Sequence, residues 1–229
     1  MGQDASKSQP AQEEVQKART RFCKYLDAFA DNPGSTARRT YPGLESRPWH
    51  DPRDFPIAMY LERHFAAIRA EILALDPDRY QAVAEPVDQT GDWAVRFFYD
   101  RGRRVAETCD ACPVTVKGLD PFSAMRTGPG LICVSRSRPQ THVAPHRGAL
   151  NVRLRCHLGI VVPEGDCAIR VGDETRSWQE GRCMVLDDHF EHEAWNRTGH
   201  DRLVLLVDMW HPDLTPTEIR LLSGVHRYR

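Results

Sequence analysis

The chain carries ten histidines, and seven of them, His142, His146, His157, His189, His192, His200 and His211, lie in the region that reads as strands. Two stretches concentrate them with carboxylates alongside: Thr141-His142-Val143-Ala144-Pro145-His146-Arg147-Gly148 and Asp187-Asp188-His189-Phe190-Glu191-His192-Glu193. A lone histidine is usually a surface or satisfied core residue, but clustered imidazoles suit iron(II), zinc and similar ions. A zinc peptidase would need both imidazoles of an HxxxH pair on one helix. Val143-Ala144-Pro145 between His142 and His146 works against that helix. An oxygenase site usually has two histidines and one carboxylate, with open positions for co-substrate and dioxygen. In that pattern the carboxylate stands two residues after the first histidine. Here that position is Gly148, so Asp187, Asp188, Glu191 or Glu193 would have to supply the charge.

Positioning such groups requires a rigid scaffold, and the second half of the chain reads as strands. Short apolar or alternating runs cover Trp93 to Tyr99, Leu131 to Ser137, Asn151 to Val162, Ala168 to Val171, Arg182 to Leu186 and Leu203 to Trp210. Their spacing predicts an antiparallel sandwich or barrel. The Thr141 to Gly148 segment reads as a turn between two strands, and Pro113 to Gly130 as a long loop. Upstream, apolar residues at helical spacing predict a helix from Glu13 that ends at Asn32-Pro33-Gly34. A second helix follows, carrying Leu61, Phe65, Ile68, Ile72 and Leu75 on one face. Residues 1–11 read as a disordered tail and 12–229 as one domain: helices over about 12–85, a β core over about 86–212, and a C-terminal helix over about 215–223. That last helix opens with a Thr215 to Glu218 capping box.

Composition narrows the function classes. Hydrophobic residues make up 41% and charged residues 28%, with a net charge of -1 and no basic stripe, so neither nucleic acid nor a membrane is an expected partner. A small molecule or a peptide is the expected partner. Seven cysteines form an odd set in a chain long enough to need no disulfide staples. They and the polar N-terminal stretch place the expected location in the cytoplasm.

The strings THVAPHRGALNVRLRCHLGIVVPEG, WQEGRCMVLDDHFEHEAWN and RLVLLVDMWHPDLTPTE, with YPGLESRPWHDP and Gly91-Asp92-Trp93 upstream, resemble the aspartyl/asparaginyl β-hydroxylase family. The match runs from about Tyr41 to Leu222. It implies a double-stranded β-helix (jelly-roll, cupin-like) core and an oxygenase that uses Fe(II), 2-oxoglutarate and O2. It also implies iron held by two histidines alone, falling on His146 and His192, so that Gly148 is expected. Arg202, ten residues after the second ligand, matches the arginine that grips the distal carboxylate of 2-oxoglutarate. Ser135 matches a hydroxyl partner of that group, and Arg155 and His157 match further co-substrate contacts. Asp188 matches an acidic position in the catalytic set, where it would orient a bound water. The tryptophans Trp93, Trp178, Trp195 and Trp210 read as core or rim packing.

The expected reaction is hydroxylation of an amino-acid-type or small carboxylate substrate, with succinate and CO2 as co-products. Asp88 and Val95 stand where members acting on peptidyl Asp or Asn carry substrate-binding residues, so that substrate is the alternative. Arg96 and Arg153 are the expected contacts for an acidic substrate. A cupin-like binder without turnover and a zinc hydrolase using Glu191 or Glu193 are the readings from other classes.

Overall fold

The computed structural model describes residues 8–30, 40–83, 87–119, 126 and 130–225. Two antiparallel sheets face each other. The larger runs in the order β1 (Trp49–His50), β11 (Cys183–Leu186), β8 (Arg153–Val161), β13 (Arg202–Trp210), β6 (Leu131–Ser137), β4 (Trp93–Asp100) and β2 (Gln81–Ala82), with β5 (Arg103–Arg104) paired to β4. The smaller runs β10 (Glu174–Arg176), β9 (Cys167–Val171), β12 (Glu191–Asn196), β7 (Thr141–Arg147) and β3 (Gln89–Thr90). From β6 onward the chain crosses between sheets: β6 lies in the larger, β7 in the smaller, β8 in the larger, β9 and β10 in the smaller, then β11, β12 and β13 alternate. This winding is a double-stranded β-helix.

Both faces of the larger sheet are covered, which explains why β13 is buried along nearly its whole length. Leu205, Val207 and Met209 face outward and pack under α2 (Pro56–Arg63) and α3 (Phe65–Leu73), with Ile57, Leu61, Ile68 and Ile72. Val204 and Leu206 face inward with Val95, Ile169 and Trp178. A third cluster joins Phe22 and Tyr25 of α1 (Ser8–Ala30) to Leu222 of α6 (Pro216–Val225) through Tyr41, Val152 and Trp210. At the start of α6 the capping box forms: Thr215 N donates to Glu218 Oε2 at 2.8 Å and Glu218 N to Thr215 Oγ1 at 3.3 Å.

Several expectations change. The helix expected from Glu13 begins at Ser8, inside the stretch read as a tail; residues 1–7 and the Asn32-Pro33-Gly34 breaker lie outside the described residues. The single second helix is two, parted at His64, whose backbone leaves the helical region with φ -102 and ψ 14. Part of the expected loop after Pro113 is helical: α4 (Ala106–Ala111) is followed by α5 (Pro113–Leu119), and Pro113 suits a first turn because its missing N–H has no acceptor there. The Thr141 to Gly148 segment, read as a turn, contains strand β7.

Candidate active site

His146 and His192 are direct cross-strand partners on β7 and β12, and their ring centroids are 4.1 Å apart. A β-bulge brings this about. Val143 pairs with Ala194 and His146 with His192, so three steps on β7 oppose two on β12. Strict alternation from the inward Val143 would turn His146 outward. The extra residue turns it into the cavity, and Pro145 sits in the bulge, where a missing N–H disrupts no ladder. Each ring binds a carbonyl two residues back through Nδ1: His146 to Ala144 O at 2.8 Å, His192 to Phe190 O at 2.9 Å. A carbonyl only accepts, so Nδ1 carries the proton and Nε2 keeps its lone pair, the arrangement a metal-ligating imidazole needs. Burial, then the neighbouring His146, lowers His192 to about 4 and keeps it neutral.

Among the described residues no group of three or more His, Cys, Asp or Glu converges as a metal site. Glu193 points away from the cavity, toward His142 Nε2 at 2.9 Å and Arg170 Nε at 2.7 Å, and Glu191 meets Arg170 and Arg147. Neither is placed as a general base beside the imidazoles, which removes the ground for a zinc hydrolase. At Gly148 a Cβ would lie 2.5 Å from Asp188 Oδ1 and 2.9 Å from Asp188 O. The space that a side chain at 148 would use is therefore filled by the Asp188 carboxylate. Asp188 Oδ2 pairs with Arg153 at 2.8 Å and Arg155 at 3.5 Å, whereas Oδ1 is buried without a hydrogen-bond partner among the described residues. Burial alone would raise Asp188, but Arg153, Arg155 and His192 outweigh it and hold the carboxyl below its usual range.

The cavity between the sheets holds about 370 Å³ and is lined by His146, His192, Ser135, Arg155, His157 and Arg202 together with Trp93, Trp178 and apolar residues. Six of the expected site residues thus share one space. Arg202 Nη2 donates to Ser135 Oγ at 3.2 Å and Ser137 Oγ at 2.5 Å, while its buried Nε has no partner among the described residues. No carboxylate pairs with Arg202 among the described residues; burial lowers it only to about 10, so it remains charged at neutral pH. A buried cation without a counter-ion calls for an anion from outside. His157 Nε2 is a second buried atom on the same lining without a partner among the described residues.

Two expected contacts are elsewhere. Arg96 alternates with the inward Val95 and Phe97, so it faces the opposite side of β4, where it donates to Thr108 Oγ1 at 3.0 Å and Glu107 Oε1 at 3.1 Å. Arg153 is held between Asp188 at 2.8 Å and Asp208 at 3.2 Å rather than on the cavity lining. Arg155 lines the cavity while Asp208 Oδ1 accepts from its Nε at 2.7 Å. Asp208, Ser137 and the site role of Trp93 and Trp178 were not read from the sequence. Alternation along β13 from Arg202 could have indicated Asp208.

Fold and site together define a double-stranded β-helix that encloses a paired-imidazole pocket with a buried arginine at one side. The chain belongs to the aspartyl/asparaginyl β-hydroxylase family, whose model matches residues 62–212. It is 40% identical over 192 residues to the aspartyl/asparaginyl beta-hydroxylase of Mus musculus, which covers 80% of this chain and 26% of that protein. It is 34% identical over 211 residues to the ornithine lipid ester-linked acyl 2-hydroxylase of Rhizobium tropici, covering 87% of this chain and 72% of that protein. The chain therefore spans about a quarter of the mouse relative. A crystal structure of a 2OG-Fe(II) oxygenase family oxidoreductase from Burkholderia pseudomallei superposes with a TM-score of 0.47 at 13% identity, covering 78% of this chain and 98% of that one.

Proposed function

We propose that the protein is an Fe(II)- and 2-oxoglutarate-dependent hydroxylase in which His146 and His192 hold the iron through Nε2. The observation that carries this reading is Arg202: a buried guanidinium without a carboxylate partner among the described residues, in the same cavity as two imidazoles whose lone pairs are free to ligate. The residues fit both groups. Arg202, Ser135 and the Nε2 of His157 offer donors for a dicarboxylate, and Asp188 fills the space of the carboxylate ligand that Gly148 cannot supply. When bound, iron and 2-oxoglutarate supply an oxidative decarboxylation in which one oxygen atom of O2 enters succinate and the other the substrate, with release of CO2.

The protein's own share is binding and orientation. Arg202, planar and always charged, grips a carboxylate in two directions. Ser135 and Ser137 fix the guanidinium, and Trp93 Nε1 donates to Ser135 Oγ at 2.9 Å, holding that hydroxyl in turn. Asp188, ionised and with Oδ1 free to accept, orients water beside the imidazoles. The apolar lining of Val95, Val143, Ile169 and Leu206 limits bulk water around the reacting centre.

The substrate we infer is an amino-acid-type or small carboxylate compound; Asp or Asn in a peptide is the second reading, supported by the mouse relative's name. The Rhizobium relative is named for a lipid acyl group. No described helix is long and apolar enough to cross a membrane. The free cysteines support a reducing compartment such as the cytoplasm. The test is reconstitution with Fe(II), 2-oxoglutarate and isotope-labelled O2 against free amino acids, acyl amino acids, lipids and Asp- or Asn-containing peptides. Metal-dependent succinate formation with label in the product is the expected result. Tight metal binding without succinate from any substrate would instead make the protein a cupin-like binder.

A further inference from the structure

Trp178 lies in the segment between β10 and β11, is 3% exposed, and lines the cavity with two faces of its chemistry in use. Its indole Nε1 stands 3.2 Å from His157 Nδ1, and the two ring planes are within 16° of parallel. The distance is that of a hydrogen bond from the indole N–H to Nδ1. An indole N–H can only donate, so Nδ1 must accept, and a neutral His157 then carries its proton on Nε2. Burial, followed by the nearby Arg155 and Arg202, disfavours the charged form of His157. Meanwhile the Arg202 guanidinium carbon lies 4.6 Å from the centroid of the Trp178 ring, within range of a cation–π contact.

We propose that Trp178 is a positioning residue for the anion-binding part of the cavity, locking His157 in the tautomer that offers Nε2–H to a bound carboxylate while its ring face supports Arg202. The tautomer decides the sign of the contact. With the proton on Nε2, His157 donates to a carboxylate oxygen. With the proton on Nδ1, it would present a lone pair to that same oxygen and repel it. One side chain thus fixes two of the groups assigned to 2-oxoglutarate, and this inference rests on that assignment. A purely structural tryptophan would contribute volume only, and its N–H would be dispensable.

The experiment separates these roles. In metal-free protein labelled with 15N-histidine, ring correlations of His157, assigned by their loss in His157→Asn, should report the Nε2–H tautomer. Trp178→Phe keeps an aromatic face under Arg202 but removes the donor. It should admit the Nδ1–H form and weaken 2-oxoglutarate binding to the Mn(II)-loaded protein by about tenfold in calorimetry, with Mn(II) affinity unchanged. An Nδ1–H tautomer in the wild-type protein overturns the proposal whether or not the variant folds. So does unchanged 2-oxoglutarate affinity in a folded variant. If wild-type Mn(II) protein binds no 2-oxoglutarate, the functional reading fails, while the tautomer spectrum still decides the Trp178–His157 lock.

Discussion

His146 and His192 each spend Nδ1 on the carbonyl two residues back, so one lone pair per ring faces the cavity. Replacing either by Ala removes half of the available donor set, and Mn(II) or Fe(II) binding in calorimetry should be lost. His142 is tied to Glu193 away from the cavity and His189 Nδ1 contacts Gly148 O, so Ala at either should leave metal affinity within about tenfold. A His146→Ala protein that binds Fe(II) at full strength would remove the assignment. Arg202 makes a different prediction. Its substitution by Met deprives a buried carboxylate of a bidentate partner, at roughly 2 to 5 kcal/mol. The 2-oxoglutarate concentration needed for turnover should rise steeply while metal binding stays intact. An unchanged requirement would transfer the anchor to Arg155.

At the scale of elements, the sequence made the larger sheet legible and hid the histidine-bearing strands of the smaller one. Strand β6 follows the reading over Leu131 to Ser137, and β13 differs from it by a single residue at its start, because their apolar runs are buried on both faces. Strands β7 and β12 carry histidines and acids, and the bulge at Ala144-Pro145 breaks the period of two that identifies a strand, so β7 reads as a turn. The feature that aims His146 is the feature that conceals the strand. Likewise, the resemblance made Gly148 an expected departure, but only the fold shows that Asp188 occupies its space from the β11–β12 turn. That yields a prediction for Gly148→Asp. A new Cβ has no room at 2.5 Å from Asp188 Oδ1, so Asp188 must move and its ion pair with Arg153 must open. Activity should fall, and stability should drop by roughly 1 to 3 kcal/mol in denaturant unfolding, typical of overpacking. A gain in activity would mark the site as a damaged two-histidine, one-carboxylate triad.

For the whole molecule, the question is which end of the substrate the protein recognises, and the two arginines read from the sequence now divide. Arg96 is buried on the helix side of β4, bonded to Thr108 and Glu107 of α4, and stays there whatever enters the cavity. Arg153 stands one alternation along β8 from Arg155, in ion pairs with Asp188 and Asp208. Off the cavity lining, its guanidinium meets an acidic substrate only where the substrate carboxylate displaces Asp188. Arg96→Gln should therefore cost stability, about 1 to 3 kcal/mol for a buried charged hydrogen-bond donor, and leave the substrate KM unchanged. Arg153→Gln should raise the KM for an acidic substrate while substrate-free decarboxylation of 2-oxoglutarate continues. Steady-state succinate assays with and without substrate read both quantities on the same samples. If Arg153→Gln leaves the substrate KM unchanged and lowers decarboxylation with and without substrate alike, Arg153 serves only to hold Asp188, and a small carboxylate is no longer the favoured substrate. Hydroxylation confined to Asp or Asn within folded protein modules would transfer recognition to the surface around the cavity mouth, with the metal and 2-oxoglutarate assignments unaffected.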